Sequence, residues 1–125
     1  MPLLAGRTAS VAMVVTDADT AIALGSGDVP VLGTPRLLAL VEEASVKAVQ
    51  GTVPVGHTTV GMRVQLDHLH PTKVGGTVVA EATLEKSEGR RLTFTVAVTD
   101  QWGLIAVARI TRVVVEVERF LEKAH

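Results

Sequence analysis

The stretch TPRLLALVEEASVKAVQ, Thr34 to Gln50, decides the fold. Leu37, Leu38, Leu40, Val41, Ala44, Val46, Ala48 and Val49 recur at helical spacing and cover most of the circumference, so the spacing predicts a helix over Pro35–Gln50. Thr34 before Pro35 reads as an N-cap followed by proline at the first helical position, and Gly51 as the stop. A helix this apolar has to be wrapped by other elements, and the flanking sequence offers strands for the purpose.

Upstream, Thr8–Val15 is a short apolar run ended by Thr16-Asp17-Ala18-Asp19, a strand followed by a turn. Leu24-Gly25-Ser26-Gly27-Asp28-Val29-Pro30 is then a loop leading into the helix. Downstream, after a second loop at Thr52–His57, four β-rich runs follow: Thr58–His68, Gly76–Ser87, Arg90–Thr99 and Leu104–Val117. Lys86-Ser87-Glu88-Gly89-Arg90 and Asp100-Gln101-Trp102-Gly103 read as tight hairpin turns. The four runs are expected to form an antiparallel meander. The order strand, helix and four strands predicts an α+β fold, one long helix wrapped by a curved antiparallel sheet of about five strands.

No linker, repeat or low-complexity tract divides the 125 residues, which suits a single domain over 1–125. Hydrophobic residues make up 47% but aromatics only 2%, so Val, Ala, Leu and Ile must fill the core. Twelve basic against thirteen acidic side chains leave a net charge of −1, which gives no bulk attraction to nucleic acid. With no Cys there is no disulfide, thiolate metal site or cysteine nucleophile. Met1–Arg7 lacks a basic n-region before an apolar stretch, and no window approaches the ~20 apolar residues of a membrane span, so a cytoplasmic protein without a membrane role is expected.

Three residues stand out as an active-site candidate: Thr34 at the helix start, Glu42 two turns in, and His68 at a strand end. Each also has a structural reading. Thr34 suits capping, and Glu42 beside Glu43 could be one of an exposed pair, although the apolar helix favours burying one of the two. Buried there, Glu42 would be partly desolvated and its pKa raised. His68, with an ordinary pKa of about 6.5, suits proton transfer near neutrality and could bond to that carboxylate. His68 and His70 share a strand face, but no third metal ligand stands at suitable spacing. Asp67 reads as a strand-end turn former, and His57 and His125 as loop and tail residues. Gly61 inside a strand marks a bulge or a close approach of ligand to the backbone, and Arg112 reads as solvent-facing beside Glu116. Arg90 and Arg91 could meet phosphates from the hairpin, but no Gly-rich phosphate loop is present.

Thr34 followed eight residues later by Glu42, His68 twenty residues before Glu88-Gly89-Arg90-Arg91-Leu92, and the closing Val117-Glu118-Arg119-Phe120 together resemble the hotdog-fold thioesterases, in their fluoroacetyl-CoA thioesterase-like branch. The resemblance covers nearly the whole chain. It implies that Thr34, Glu42 and His68 form the catalytic constellation, that the Gly61 backbone faces the thioester, and that Arg112 lies near the site. It implies a cofactor-independent enzyme acting on acyl-CoA or another acyl thioester, as a homodimer with active sites at the subunit interface; a tetramer is also compatible. The loop before the helix offers Gly25, Asp28 and Val31 where the fluoroacetyl-specific member has aromatic gating residues, so a general acyl-CoA thioesterase is implied, its acyl group unassigned. Hotdog hydratases and dehydratases also use a carboxylate and a histidine on acyl thioesters, so a lyase is the second reading. A non-catalytic acyl-thioester binding module is the third.

Thioester hydrolysis needs an attacking group, a proton shuttle and donors for the oxyanion. Thr34 and Glu42 are separated by about 12 Å of helical rise, so substrate is expected to lie between them.

Overall fold

In the computed structural model, residues 5–125 are described. Met1–Leu4, part of the start read for a targeting segment, lie outside the described residues. Among the described residues no helix is long and apolar enough to cross a membrane.

The elements are β1 (Thr8–Val14), a 3-10 turn at Asp17–Asp19, α1 (Ala21–Leu24), α2 (Thr34–Ala48), β2 (His57–His68), β3 (Thr77–Glu88), β4 (Arg91–Asp100), β5 (Gly103–Glu116) and α3 (Val117–Leu121). Alternation drives the strands: in β3, Val78, Ala80, Ala82 and Leu84 are fully buried, each one residue from a more exposed neighbour. Leu37, Leu40, Val41 and Ala44 of α2 are equally buried. Facing alanines, Ala44 and Ala48 on the helix and Ala80, Ala82, Ala106 and Ala108 on the sheet, line a core in which Phe94 is the one buried aromatic among the described residues. Small side chains let the helix settle close to the strands, and each large one buried contributes about 1.5–3 kcal/mol.

The sheet order is β1-β3-β4-β5-β2, antiparallel throughout. The expected four-strand meander is therefore corrected. Only β3, β4 and β5 follow one another through the two hairpins; β2 crosses to the far side of β5 and becomes an edge, with β1 the other edge. Hairpin turns are legible from Gly89 (φ +59) and Gly103 (φ +133); the chain between β2 and β3, residues 69–76, also holds a positive-φ glycine, Gly75 (φ +92), but there it closes no hairpin, because β2 and β3 are not neighbours.

Two boundaries also differ. The helix begins at Thr34 with Gly33 as the N-cap, so Thr34 does not cap it. Gly33 is needed there for space: a Cβ would lie 2.9 Å from Leu24 Cδ1 and 3.1 Å from the Ala21 backbone. This contact presses α1 against the start of α2. The four-residue α1, capped by the Thr20 hydroxyl and closed by Gly25 (φ +70), is too short to show periodicity in sequence. At the other end Val117 leaves the strand and opens α3. The turn before α1 is tied to the long helix by Arg36 Nε, which donates to Asp19 Oδ1 at 3.2 Å.

Candidate active site

Strand β2 places the site. Its register against β5 slips between Gly61 and Arg63, so Gly61 pairs with Arg112 while Val64, Leu66 and His68 pair with Ile110, Ala108 and Ala106. The slip is a β-bulge, and the extra residue reverses parity along the strand. Arg112, Ile110, Ala108 and Ala106 are all buried on the helix side of β5. Without the bulge, odd-numbered Gly61 and even-numbered His68 would face opposite sides of the sheet; with it, both face α2.

Glu42 projects from α2 over Gly61. A Cβ on Gly61 would come within 2.6 Å of Glu42 Oε2, so the glycine adjoins the bulge, as one of its two readings has it, and leaves room for the carboxylate of Glu42. Arg112 holds that carboxylate, with Nη1 donating to Glu42 Oε2 at 3.0 Å. The rest of the guanidinium is fixed by Thr59, whose hydroxyl accepts from Nε at 3.0 Å and whose carbonyl accepts from Nη2 at 2.9 Å. Arg112 is only 6% exposed, which overturns its reading as a solvent-facing residue. The Glu42 side chain is 40% exposed, and Oε1 accepts no bond from the described residues. Glu42 is thus not a lone carboxylate among apolar groups, but an anion aimed outward by a buried cation. Adjacent Glu43 is exposed, as its place on the helix requires.

Thr34 and His68 form the second cluster. Thr34 Oγ1 lies 2.8 Å from His68 Nδ1, and Thr34 is the exposed member of the pair. His68 Nε2 is buried with no hydrogen-bond partner, so the edge of the imidazole that can act outward is Nδ1, behind the threonine hydroxyl. Burial pushes the imidazole pKa below its usual 6.5, opposed in part by the backbone of His70. The expected bond from His68 to Glu42 is absent; the histidine is bonded to Thr34. Because Gly33 serves as the N-cap, the Thr34 hydroxyl is free for this contact.

Within one chain the two clusters stand apart. Thr34 and Glu42 are separated by about 12 Å of helix, and Gly61 and His68 by about 20 Å of strand. Both lie on the same face beside the edge strand. The other titratable groups do not join them: Asp67 is an exposed strand residue, and His70 Nδ1 lies 3.1 Å from the Pro71 carbonyl. His57 opens β2, with Nδ1 3.2 Å from the Val55 carbonyl, and is not a loop residue. Among the described residues no group of three His, Asp or Glu side chains could hold a metal. Sequence reasoning missed Thr59, the threonine that orients Arg112; a polar residue two before a strand glycine is no signal by itself.

The family described as Fluoroacetyl-CoA-specific thioesterase matches residues 15–118. Among solved structures, the fluoroacetyl-CoA thioesterase FlK is 28% identical with a TM-score of 0.90, over 97% of this chain and 94% of that one. A FlK variant in complex with acetyl-CoA is 26% identical with a TM-score of 0.91, over 97% and 96%. A Thermus thermophilus hypothetical protein described as a thioesterase superfamily member is 28% identical with a TM-score of 0.89, over 98% and 93%. No curated protein matches the chain.

Proposed function

We propose a mechanism from one premise: the chain belongs to the fluoroacetyl-CoA-specific thioesterase family and is a hotdog-fold thioester hydrolase. Glu42 is the base, Thr34 positions the attacking water, and His68 acts through Thr34. The observation that carries this is the outward-facing carboxylate, fixed by Arg112 over the space that Gly61 leaves empty.

Because Glu42 and the Thr34–His68 pair are too far apart in one chain to act on the same carbon, two copies complete each site. β2 is an unpaired twelve-residue edge, and a symmetric partner is the economical way to cover it. Antiparallel pairing of two β2 strands about a two-fold axis near Gln65, with the bulge counted, brings Gly61 and Glu42 of one copy opposite His68 and Thr34 of the other. We therefore take the enzyme as a homodimer with two composite sites, acting on acyl-CoA in the cytoplasm.

In each site neutral His68 Nδ1 accepts the Thr34 hydroxyl proton, and the threonine turns its lone pairs outward to orient water. Glu42 removes a proton from that water as its oxygen adds to the thioester carbon. Collapse of the tetrahedral intermediate breaks the C–S bond, and the departing thiolate takes the proton held by Glu42. The Arg112 guanidinium beside the reacting groups stabilises negative charge throughout. No step requires a cofactor. A lyase would need an enoyl or hydroxyacyl substrate, and the binding-module reading would need Glu42 to be dispensable.

Free-thiol release from short, branched, aromatic and fluorinated acyl-CoAs tests the reading. Turnover of at least one is expected, with the acid limb of kcat/KM below pH 6.5, because burial keeps His68 neutral there. The same shift makes stability fall as pH drops from 6.5 through the lower folded-state value, since the unfolded chain takes up the proton first. No thiol release from the whole panel, or an acid limb above 6.5, would contradict this account.

A further inference from the structure

We propose that Thr59 is a positioning residue for the hydrolysis: its hydroxyl sets the direction of the Arg112 guanidinium and, through it, the place of the carboxylate that activates water. The inference rests on the reading of Glu42 as the base. Thr59 and Gly61 lie two residues apart on β2, ahead of the bulge, so they share the sheet face turned to α2. Arg112 pairs with Gly61 across the ladder. With no side chain at Gly61, Arg112 Nη1 passes over the backbone, 3.5 Å from where a Cβ would stand, and the guanidinium reaches Thr59, its diagonal neighbour.

A guanidinium is planar, so two anchors on one side fix where the other side points. Nε donates to the Thr59 hydroxyl at 3.0 Å and Nη2 to the Thr59 carbonyl at 2.9 Å, which leaves Nη1 aimed at Glu42 Oε2, 3.0 Å away. Thr59 and Arg112 are both buried, so water competes for neither anchor. The Glu42 carboxylate is in contact with solvent, and among the described residues Arg112 is the one side chain bonded to it. Its place therefore follows Arg112, and that of Arg112 follows Thr59. Any residue would supply the carbonyl anchor; the hydroxyl is what this side chain adds. Threonine also holds it still, because a β-branched side chain in a strand is restricted at χ1.

The test compares Thr59→Val and Thr59→Ser with the native protein, folding being checked by circular dichroism. Valine keeps the shape and the carbonyl bond but leaves the buried Nε–H without a partner, so the guanidinium is free to swing. Its kcat should fall about 10²-fold, the cost of misplacing a reacting group by roughly an ångström, with KM little changed. Serine, which keeps the hydroxyl, should retain most of the turnover. In a Glu42→Gln background Thr59→Val should cost nothing more, because it acts only through that carboxylate. The Arg112 Nε–H resonance, identified by its absence from Arg112→Lys, reads the anchor without any turnover: exchange with water should be slow in the native protein and fast in Thr59→Val. Fast exchange in the native protein, native kcat in folded Thr59→Val, or a further loss from Thr59→Val on top of Glu42→Gln would each overturn the proposal, and the first of these decides it even if Thr59→Val does not fold. Turnover kept by Glu42→Gln would bring down the reading of Glu42 as base and this proposal with it; an inactive Glu42→Gln beside a fully active Thr59→Val would remove the role of Thr59 alone.

Discussion

Glu42→Gln should lower kcat for thioester hydrolysis by about 10³-fold, the range of a lost general base, while the protein stays folded. Glutamine is the informative replacement. Its side-chain oxygen can still accept from Arg112 Nη1, so the buried guanidinium keeps a partner, whereas Glu42→Ala leaves that charge facing a void. Two bonds to Thr59 would hold Arg112 in place in either variant. Steady-state kinetics with a melting curve on the same sample checks this: retained turnover in folded Glu42→Gln would contradict Glu42 as the base.

Gly61→Ala should separate stability from activity in the opposite sense. The added Cβ would meet Glu42 Oε2 at 2.6 Å, and the neighbour that must yield is the tip of a flexible side chain rather than backbone. Folding is thus spared, and replacing a strand glycine by alanine returns roughly 0.5–1 kcal/mol of conformational entropy. The carboxylate, however, is displaced by something near an ångström from both Arg112 and the reacting carbon, and such a misplacement costs about 10²-fold in rate. A melting temperature unchanged or raised, with kcat depressed, is the expected pair of results. An active Gly61→Ala enzyme would mean that the seat of the carboxylate over this glycine has no part in catalysis.

The sequence carried the elements further than their arrangement. Helix α2 and the four long strands are local in origin, written in 3.6- and 2-residue periodicity and in turn glycines such as Gly89, so their ends fall within two residues of those expected. The position of β2 beside β5 rests on long-range pairing through an irregular connection, which periodicity does not encode. The same division holds at the site. Thr34, Glu42, His68, Gly61 and Arg112 can all be picked out by residue type, spacing and family resemblance. Their partnerships cannot: Arg112 reads as a surface arginine until its strand face, shared with buried Ile110, Ala108 and Ala106, is known, and the common face of Gly61 and His68 depends on a β2 bulge that odd and even numbering conceals. His68 pairs with Thr34, whose hydroxyl is free because Gly33 takes the capping position, a detail legible only from backbone geometry.

The central claim is that each active site joins Glu42 of one copy to Thr34 and His68 of another. Refolding Glu42→Gln and His68→Ala protomers together, each inactive alone, tests it most directly. If sites are shared, every mixed dimer holds one site with both residues intact, and random mixing restores about a quarter of wild-type activity. If each chain uses its own Glu42 and His68, every site in the mixture carries a lesion, and activity stays at the level of the separate variants; that result would contradict the composite site.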